Sequence, residues 1–147
     1  MVTGISPRLQ SVVGALPIRP TSRVLEIGCG PGAAARAVAA RLDTGYVLAT
    51  DRSTTAIAQA AAGSAAEIAQ GRLGVRCVEA EKLALEAGEE PYDLVFAIRV
   101  GALDGRYPEA GIRALRRIAQ ITTPDARLFV DGGDPLREIV IPRGDRP

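Results

Sequence analysis

The chain contains no histidine, no tryptophan and no asparagine, and aromatic residues make up only 3% of its 147 positions. Without histidine there is no imidazole base, no triad built on one and no imidazole ligand for zinc. So few aromatic rings exclude a stacking platform for single-stranded nucleic acid. Two cysteines, Cys29 and Cys77, are too few and too far apart for a disulfide framework or a metal knuckle. No apolar run reaches the ~18 residues of a membrane span, and the start Met1-Val2-Thr3-Gly4 has no basic-then-apolar leader. An excess of one charge is missing as well: 18 basic residues face 17 acidic ones, a net charge of +1. That balance removes the electrostatic footprint of a nucleic-acid or anionic-lipid partner. The expectation is a cytoplasmic protein with neither nucleic acid nor membrane as partner.

What is present is a globular composition, 47% hydrophobic, in a length that fits a single domain over residues 1–147. The organising stretch is Arg23-Val24-Leu25-Glu26-Ile27-Gly28-Cys29-Gly30-Pro31-Gly32. Its apolar run reads as a strand covered on both faces. Gly28, Gly30 and Gly32 follow as a tight turn whose backbone a ligand can approach. A helix from about Pro31 to Leu42 then offers unpaired N–H groups and partial positive charge at its start.

Gly28-x-Gly30-x-x-Ala33 also satisfies the dinucleotide fingerprint. Glu26 separates the two readings. A carboxylate two residues before the first glycine repels a pyrophosphate and attracts a cofactor carrying an ammonium and a sulfonium. A buried carboxylate with no partner is costly, so chance is a poor explanation for it. At Glu26-Ile27-Gly28-Cys29-Gly30-Pro31-Gly32 the chain resembles the class I S-adenosylmethionine-dependent methyltransferases, whose first motif reads acidic-x-Gly-x-Gly-x-Gly after the first strand.

Strand and helix signals alternate along the rest of the chain, which implies an α/β, Rossmann-like, mostly parallel sheet with helices on both faces. Ser6 to Leu16 reads as a capped amphipathic helix with Leu9, Val12, Val13 and Leu16 on one face. Tyr46 to Thr50 is the second strand, ending at Asp51, where a parallel βαβ unit presents a carboxylate to a ribose. One helix is expected from about Ser53 to Ala69, with Ile57, Ala61, Ala65 and Ile68 on its inner stripe. Val75 to Val78 is the third strand, running into Glu79-Ala80-Glu81, and Lys82 to Pro91 reads as a charged connection with little to bury. Tyr92 to Ile98 is the fourth strand. A helix over Tyr107–Ala119 turns Ile112, Leu115 and Ile118 inward. Arg127 to Asp131 is the fifth strand, and Glu138 to Ile141 a final edge strand that Pro142 blunts.

The resemblance covers about residues 20–133 and implies S-adenosyl-L-methionine as cofactor. It implies cofactor contacts from Glu26, Gly28, Cys29, Gly30 and Gly32 in the first turn. Further contacts come from Asp51 and Arg52 after the second strand, from Glu79 and Ala80 after the third, and from Ala97 at the end of the fourth. Family members often have Asp where Glu79 stands, so the geometry at the adenine is altered here. Asp93 resembles the Asp that caps the entrance of the fourth strand, at the end of the sheet away from the chemistry.

The resembled fold has seven strands, the last two forming a hairpin after a fifth helix. This chain is shortened at its C-terminus, which leaves the fifth strand to be covered by the tail or by a second subunit and favours a homodimer. Methyl transfer needs alignment more than acid–base help, and any base here is a carboxylate, a tyrosine or water. Ala97-Ile98-Arg99-Val100 matches no Asn/Asp-Pro-Pro-aromatic motif, so the reading is transfer to a small-molecule O or N acceptor, with Arg99 and Asp104 on the acceptor rim. The alternatives are an S-adenosylmethionine-binding protein without transferase activity and a nicotinamide-binding domain.

Overall fold

The alternating signals predict a parallel sheet, and a computed structural model, which describes residues 5–144, contains one. The apolar runs become β1 (Arg23–Ile27), β2 (Tyr46–Asp51), β3 (Leu73–Cys77), β4 (Tyr92–Ala97) and β5 (Thr122–Asp131), all parallel, with β6 (Leu136–Ile139) antiparallel at the edge. The strand order is β3-β2-β1-β4-β5-β6. Between them run α1 (Pro7–Ala15), α2 (Ala33–Ala39), α3 (Thr54–Gly63), α4 (Ala65–Ala69), a 3-10 turn (Ala80–Lys82) and α5 (Pro108–Gln120).

Successive strand residues point to opposite faces, and both faces are apolar. Val24, Val47, Leu94 and Phe96 pack with Val13 and Leu16 next to α2 residues Ala35 and Val38 on one side. Leu25, Leu48, Val95 and Leu128 pack with Leu83, Ala114 and Ile118 on the other. The two-sided burial explains why β1, β2 and β4 read as continuous apolar runs.

Strand order reverses between β1 and β4: the chain lays down β2 and β3 on one side of β1, then crosses to place β4 and β5 on the other, all parallel. In open parallel sheets a ligand crevice lies outside the carboxyl ends of the strands at such a point. The opposite end is closed by Asp93, whose two carboxylate oxygens each accept the Arg23 N–H at 3.2 Å.

Several elements differ from expectation. The helix expected over 53–69 breaks at Ser64, which is fully buried and non-helical (φ −115°, ψ 21°). The break falls at the Gly63-Ser64 pair, where the Arg36 guanidinium packs: it donates to Ser64 Oγ at 3.1 Å and lies against Gly63, where an added Cβ would sit 2.9 Å away. Arg36 is therefore half-buried, and Ala65 and Ile68 face solvent rather than the core. Ile112 is 54% exposed, because α5 buries Gly111, Ala114 and Ile118 instead. Residues 82–91 bury Leu83 and fix Glu89 against Arg76 and Tyr92, so that connection is anchored. The tail itself covers β5, through β6 pairing Val130 with Arg137 and Leu128 with Ile139.

Candidate functional site

The site begins where β1 stops. The Gly28 and Cys29 N–H groups both donate to the Thr50 carbonyl at 2.8 Å, and Gly32 N–H returns to the Cys29 carbonyl at 3.1 Å. This winding requires positive φ at Gly28 (+77°) and Gly32 (+92°), a conformation side chains other than glycine resist. Gly28 also has no room for a Cβ, which would lie 2.6 Å from Val100 Cγ2 in the loop after β4. Gly32 precedes α2 as its N-cap, so the helix opens directly behind the turn.

Asp51 at the end of β2 locks the turn. Its Oδ2 accepts the Gly30 N–H and its Oδ1 the Ser53 N–H, both at 2.9 Å. Ser53 in turn caps α3 through Ala56 N–H at 3.1 Å. A carboxylate has about four acceptor directions, so Asp51 keeps capacity facing the cleft while its orientation is fixed.

Beneath the turn lies Glu26, 3% exposed, whose Oε1 has no hydrogen-bond partner among the described residues. Burial, and then the negative charge of Asp51, push its carboxyl up to about 8, against the opposing pull of the Ala35 N–H and Arg36. The Cys29 thiol is pushed up to about 12 by burial and by the charges of Glu26 and Asp51. A thiol held protonated in this way is no nucleophile. Glu26 lines a cavity of about 240 Å³ whose other wall is α1 and its N-cap, through Ser6, Arg8, Leu9 and Val12.

A larger cleft of about 1060 Å³ runs over the ends of the other strands. Gly28, Asp51, Arg52, Glu79, Ala80 and Arg99 all reach it. Glu81 lines it too. A third cleft, of about 510 Å³, holds Arg99, Asp104, Arg106, Asp131, Gly132 and Arg137. Arg99 borders all three.

The sequence-derived candidates therefore converge on one end of the sheet, with three qualifications. Ala97 is 1% exposed and lines none of the three cavities. Glu79 is ion-paired with Lys82 at 2.9 Å, which holds its carboxyl below the usual range. Asp104 is engaged by Arg106 at 2.8 Å, because the short turn between them brings the two side chains together.

Sequence reasoning missed Tyr107 and Asp131 as site residues. Tyr107, expected only as the start of a helix, is the N-cap of α5 and lines the larger cleft. Asp131 was visible only as the polar end of a buried strand, a position that in parallel sheets faces the crevice.

The residues present fit an S-adenosyl cofactor: an unpartnered buried carboxylate stands where an ammonium would be received, beneath a glycine cradle that a Cβ would fill. Fold and site together define an α/β domain built to hold an adenosine-containing cofactor. Residues 24–125 match the family model described as a methyltransferase domain, and the chain belongs to that family. S-adenosylmethionine is the expected cofactor.

Among solved structures the chain is similar to the [4+2]-cyclase SpnF, at 26% identity and TM-score 0.68, over 84% of this chain and 43% of that one. It is similar to phosphoethanolamine N-methyltransferase 1 of Haemonchus contortus in complex with phosphoethanolamine and S-adenosylhomocysteine, at 21% identity and TM-score 0.69, over 84% and 24%. The YcgJ protein of Bacillus subtilis matches at 20% identity and TM-score 0.65, over 84% and 49%. The chain thus spans less than half the length of each of these structures. No curated protein matches it at a comparable level. Among the described residues no helix is long and apolar enough to cross a membrane.

Proposed function

We propose that this chain binds S-adenosylmethionine across the carboxyl ends of β1, β2 and β4 and transfers its methyl group to a small-molecule O or N acceptor. The observation that carries the reading is the buried, unpartnered Glu26 Oε1 beneath the glycine turn. The sulfonium of the cofactor supplies an activated methyl group, so the protein's task is to align the reactants and exclude water.

In this reading Glu26 receives the cofactor ammonium, and Gly28, Cys29, Gly30 and Gly32 supply a backbone cradle without side chains in the way. Asp51 accepts from the ribose hydroxyls, held in place by Gly30 and Ser53. Arg52, Glu79 and Ala80 border the adenine, and Ala97, at the end of β4, borders the methyl-bearing half. Arg99 and Asp104 form the acceptor rim, Asp104 through its hold on Arg106. Glu81, Glu109 and Tyr107 line the same cleft and are the groups able to accept a proton from an O or N acceptor.

The remaining features of the proposal rest on composition and packing. The near-neutral charge favours a small molecule over nucleic acid. Both cysteines are free, which suits a reducing, cytoplasmic setting. With β6 covering β5, the exposed strand that favoured a homodimer is already paired, and the free edge of the sheet is that of β6, followed by Val140 at 85% exposed.

A second reading, cofactor binding without methyl transfer, is favoured by the likeness to a cyclase at 26% identity. Incubation with radiolabelled S-adenosylmethionine and a panel of small-molecule acceptors separates the two. Transfer of label supports the first reading. Tight S-adenosylhomocysteine binding with no transfer to any acceptor supports the second.

A further inference from the structure

The cluster at the outer end of the cleft carries more positive charge than its internal pairs consume. The third cleft is lined by three arginines and two aspartates, with Gly132 between them. Arg106 is spent on structure: its Nε donates to Asp104 and its Nη2 to the Arg99 carbonyl at 3.2 Å. Asp104 is neutralised by that same contact. Asp131 is likewise engaged, accepting Arg8 Nη2 at 3.3 Å and the Arg99 backbone N–H at 3.0 Å. Among the described residues the side chains of Arg99 and Arg137 have no acidic partner, and both residues line the same cleft.

Arg99 is also held in an unusual backbone conformation. Its φ of +58° makes it the one non-glycine residue of positive φ among those described. Such a conformation costs free energy for a side-chain-bearing residue and persists where surroundings enforce it. Here the Asp131 contact on its N–H and the Arg106 contact on its carbonyl enforce it. The result is an arginine fixed just beyond β4 that lines all three cavities.

We propose that Arg99 and Arg137 form an oxyanion site, and that the acceptor is a small molecule carrying a carboxylate or phosphate group which these two side chains hold. The proposal rests on the cofactor lying over β1 and β4, since only then does the anion's far end meet the methyl group. A planar guanidinium matches either oxyanion with two parallel N–H donors. Asp104 and Asp131 do not oppose it, because each is occupied by an arginine donor. Arg106 and Asp131 are positioning residues that set the backbone of Arg99.

The test is calorimetric titration of the full chain, cofactor-free and loaded with S-adenosylhomocysteine, against benzoate, phenyl phosphate and uncharged benzamide. Benzoate or phenyl phosphate is expected to bind, benzamide not, and added salt to weaken the binding; which anion binds more tightly names the acceptor's group. Arg99→Gln and Arg137→Gln are each expected to weaken that binding by roughly tenfold or more. Arg137, exposed on the edge strand, keeps the test independent of any folding defect at the strained Arg99. Equal binding of benzamide, failure of both anions to bind, or undiminished anion binding in Arg137→Gln would overturn the inference. S-adenosylhomocysteine is titrated in parallel. Its failure to bind while the anions do contradicts the cofactor reading alone, and the reverse pattern contradicts the oxyanion site alone.

Discussion

The Gly30 N–H donates to Asp51 Oδ2 at 2.9 Å, tying the glycine turn after β1 to the end of β2 before any ligand arrives. Asp51→Ala therefore removes the fastening of the turn and, on the proposed function, a ribose acceptor as well. We expect S-adenosylhomocysteine affinity to fall by about 1–3 kcal/mol. Asp51→Asn keeps one acceptor oxygen and should lose less. Calorimetry on the two variants checks this, and unchanged affinity in Asp51→Ala removes Asp51 from the site.

Glu26 makes stability depend on pH in an unusual direction. Burial, and then the charge of Asp51, push its carboxyl up to about 8 in the folded chain from its ordinary 4.5. Between those values the folded state keeps a proton that the unfolded state has released. Raising pH through that window therefore lowers stability, by at most about 1.4 kcal/mol per pH unit, and the loss ends above the folded value. Glu26→Gln should flatten the slope. Urea unfolding of both proteins from pH 5 to pH 9 measures it, and parallel curves would show that Glu26 is not the group responsible.

Gly28 carries two separable constraints, a positive φ and contact with Val100. Gly28→Ala should destabilise by about 1–3 kcal/mol. Val100→Ala added to it should recover the steric part and leave the backbone part. A double-mutant cycle in urea resolves the two, since contacting residues are not additive. Full additivity would mean that the two positions do not touch.

The orientation of α5 predicts opposite outcomes at two isoleucines one helical face apart. Ile118, fully buried, should cost about 2–5 kcal/mol when cut to Ala. Ile112→Ser should change stability by no more than about 0.5 kcal/mol, as exposed substitutions do. Thermal unfolding of the pair checks the orientation directly.

The strands were legible because they are buried on both faces, where apolar runs leave no ambiguity: β1, β2 and β4 lie within a residue of expectation. The glycine turn and Asp51 were legible because a tight turn and a strand-end carboxylate restrict the residue types allowed. The helix faces were not. Ala, Ile and Leu recur so often in 53–69 and 107–120 that more than one stripe satisfies the helical period. Tertiary contacts mark the choice between them: Arg36 packed at Gly63 and Ser64 in one case, and Gly111 packing under Ala102 in the other, where an added Cβ would sit 2.4 Å from a carbonyl oxygen. The outer site was hidden for a different reason. The roles of Asp104 and Asp131 depend on which arginine each meets, and those partners (Arg106, Arg8 and the Arg99 backbone) are set by the folded loop rather than by spacing.

The most direct measurement is calorimetric titration of the full chain with S-adenosylhomocysteine and, separately, with NAD, at pH 6.5 in buffers of differing ionisation heat. We predict that S-adenosylhomocysteine binds with release of a proton as Glu26 ionises against the ligand ammonium, and that NAD gives no binding heat. Binding of NAD, or indifference to S-adenosylhomocysteine, would contradict the account.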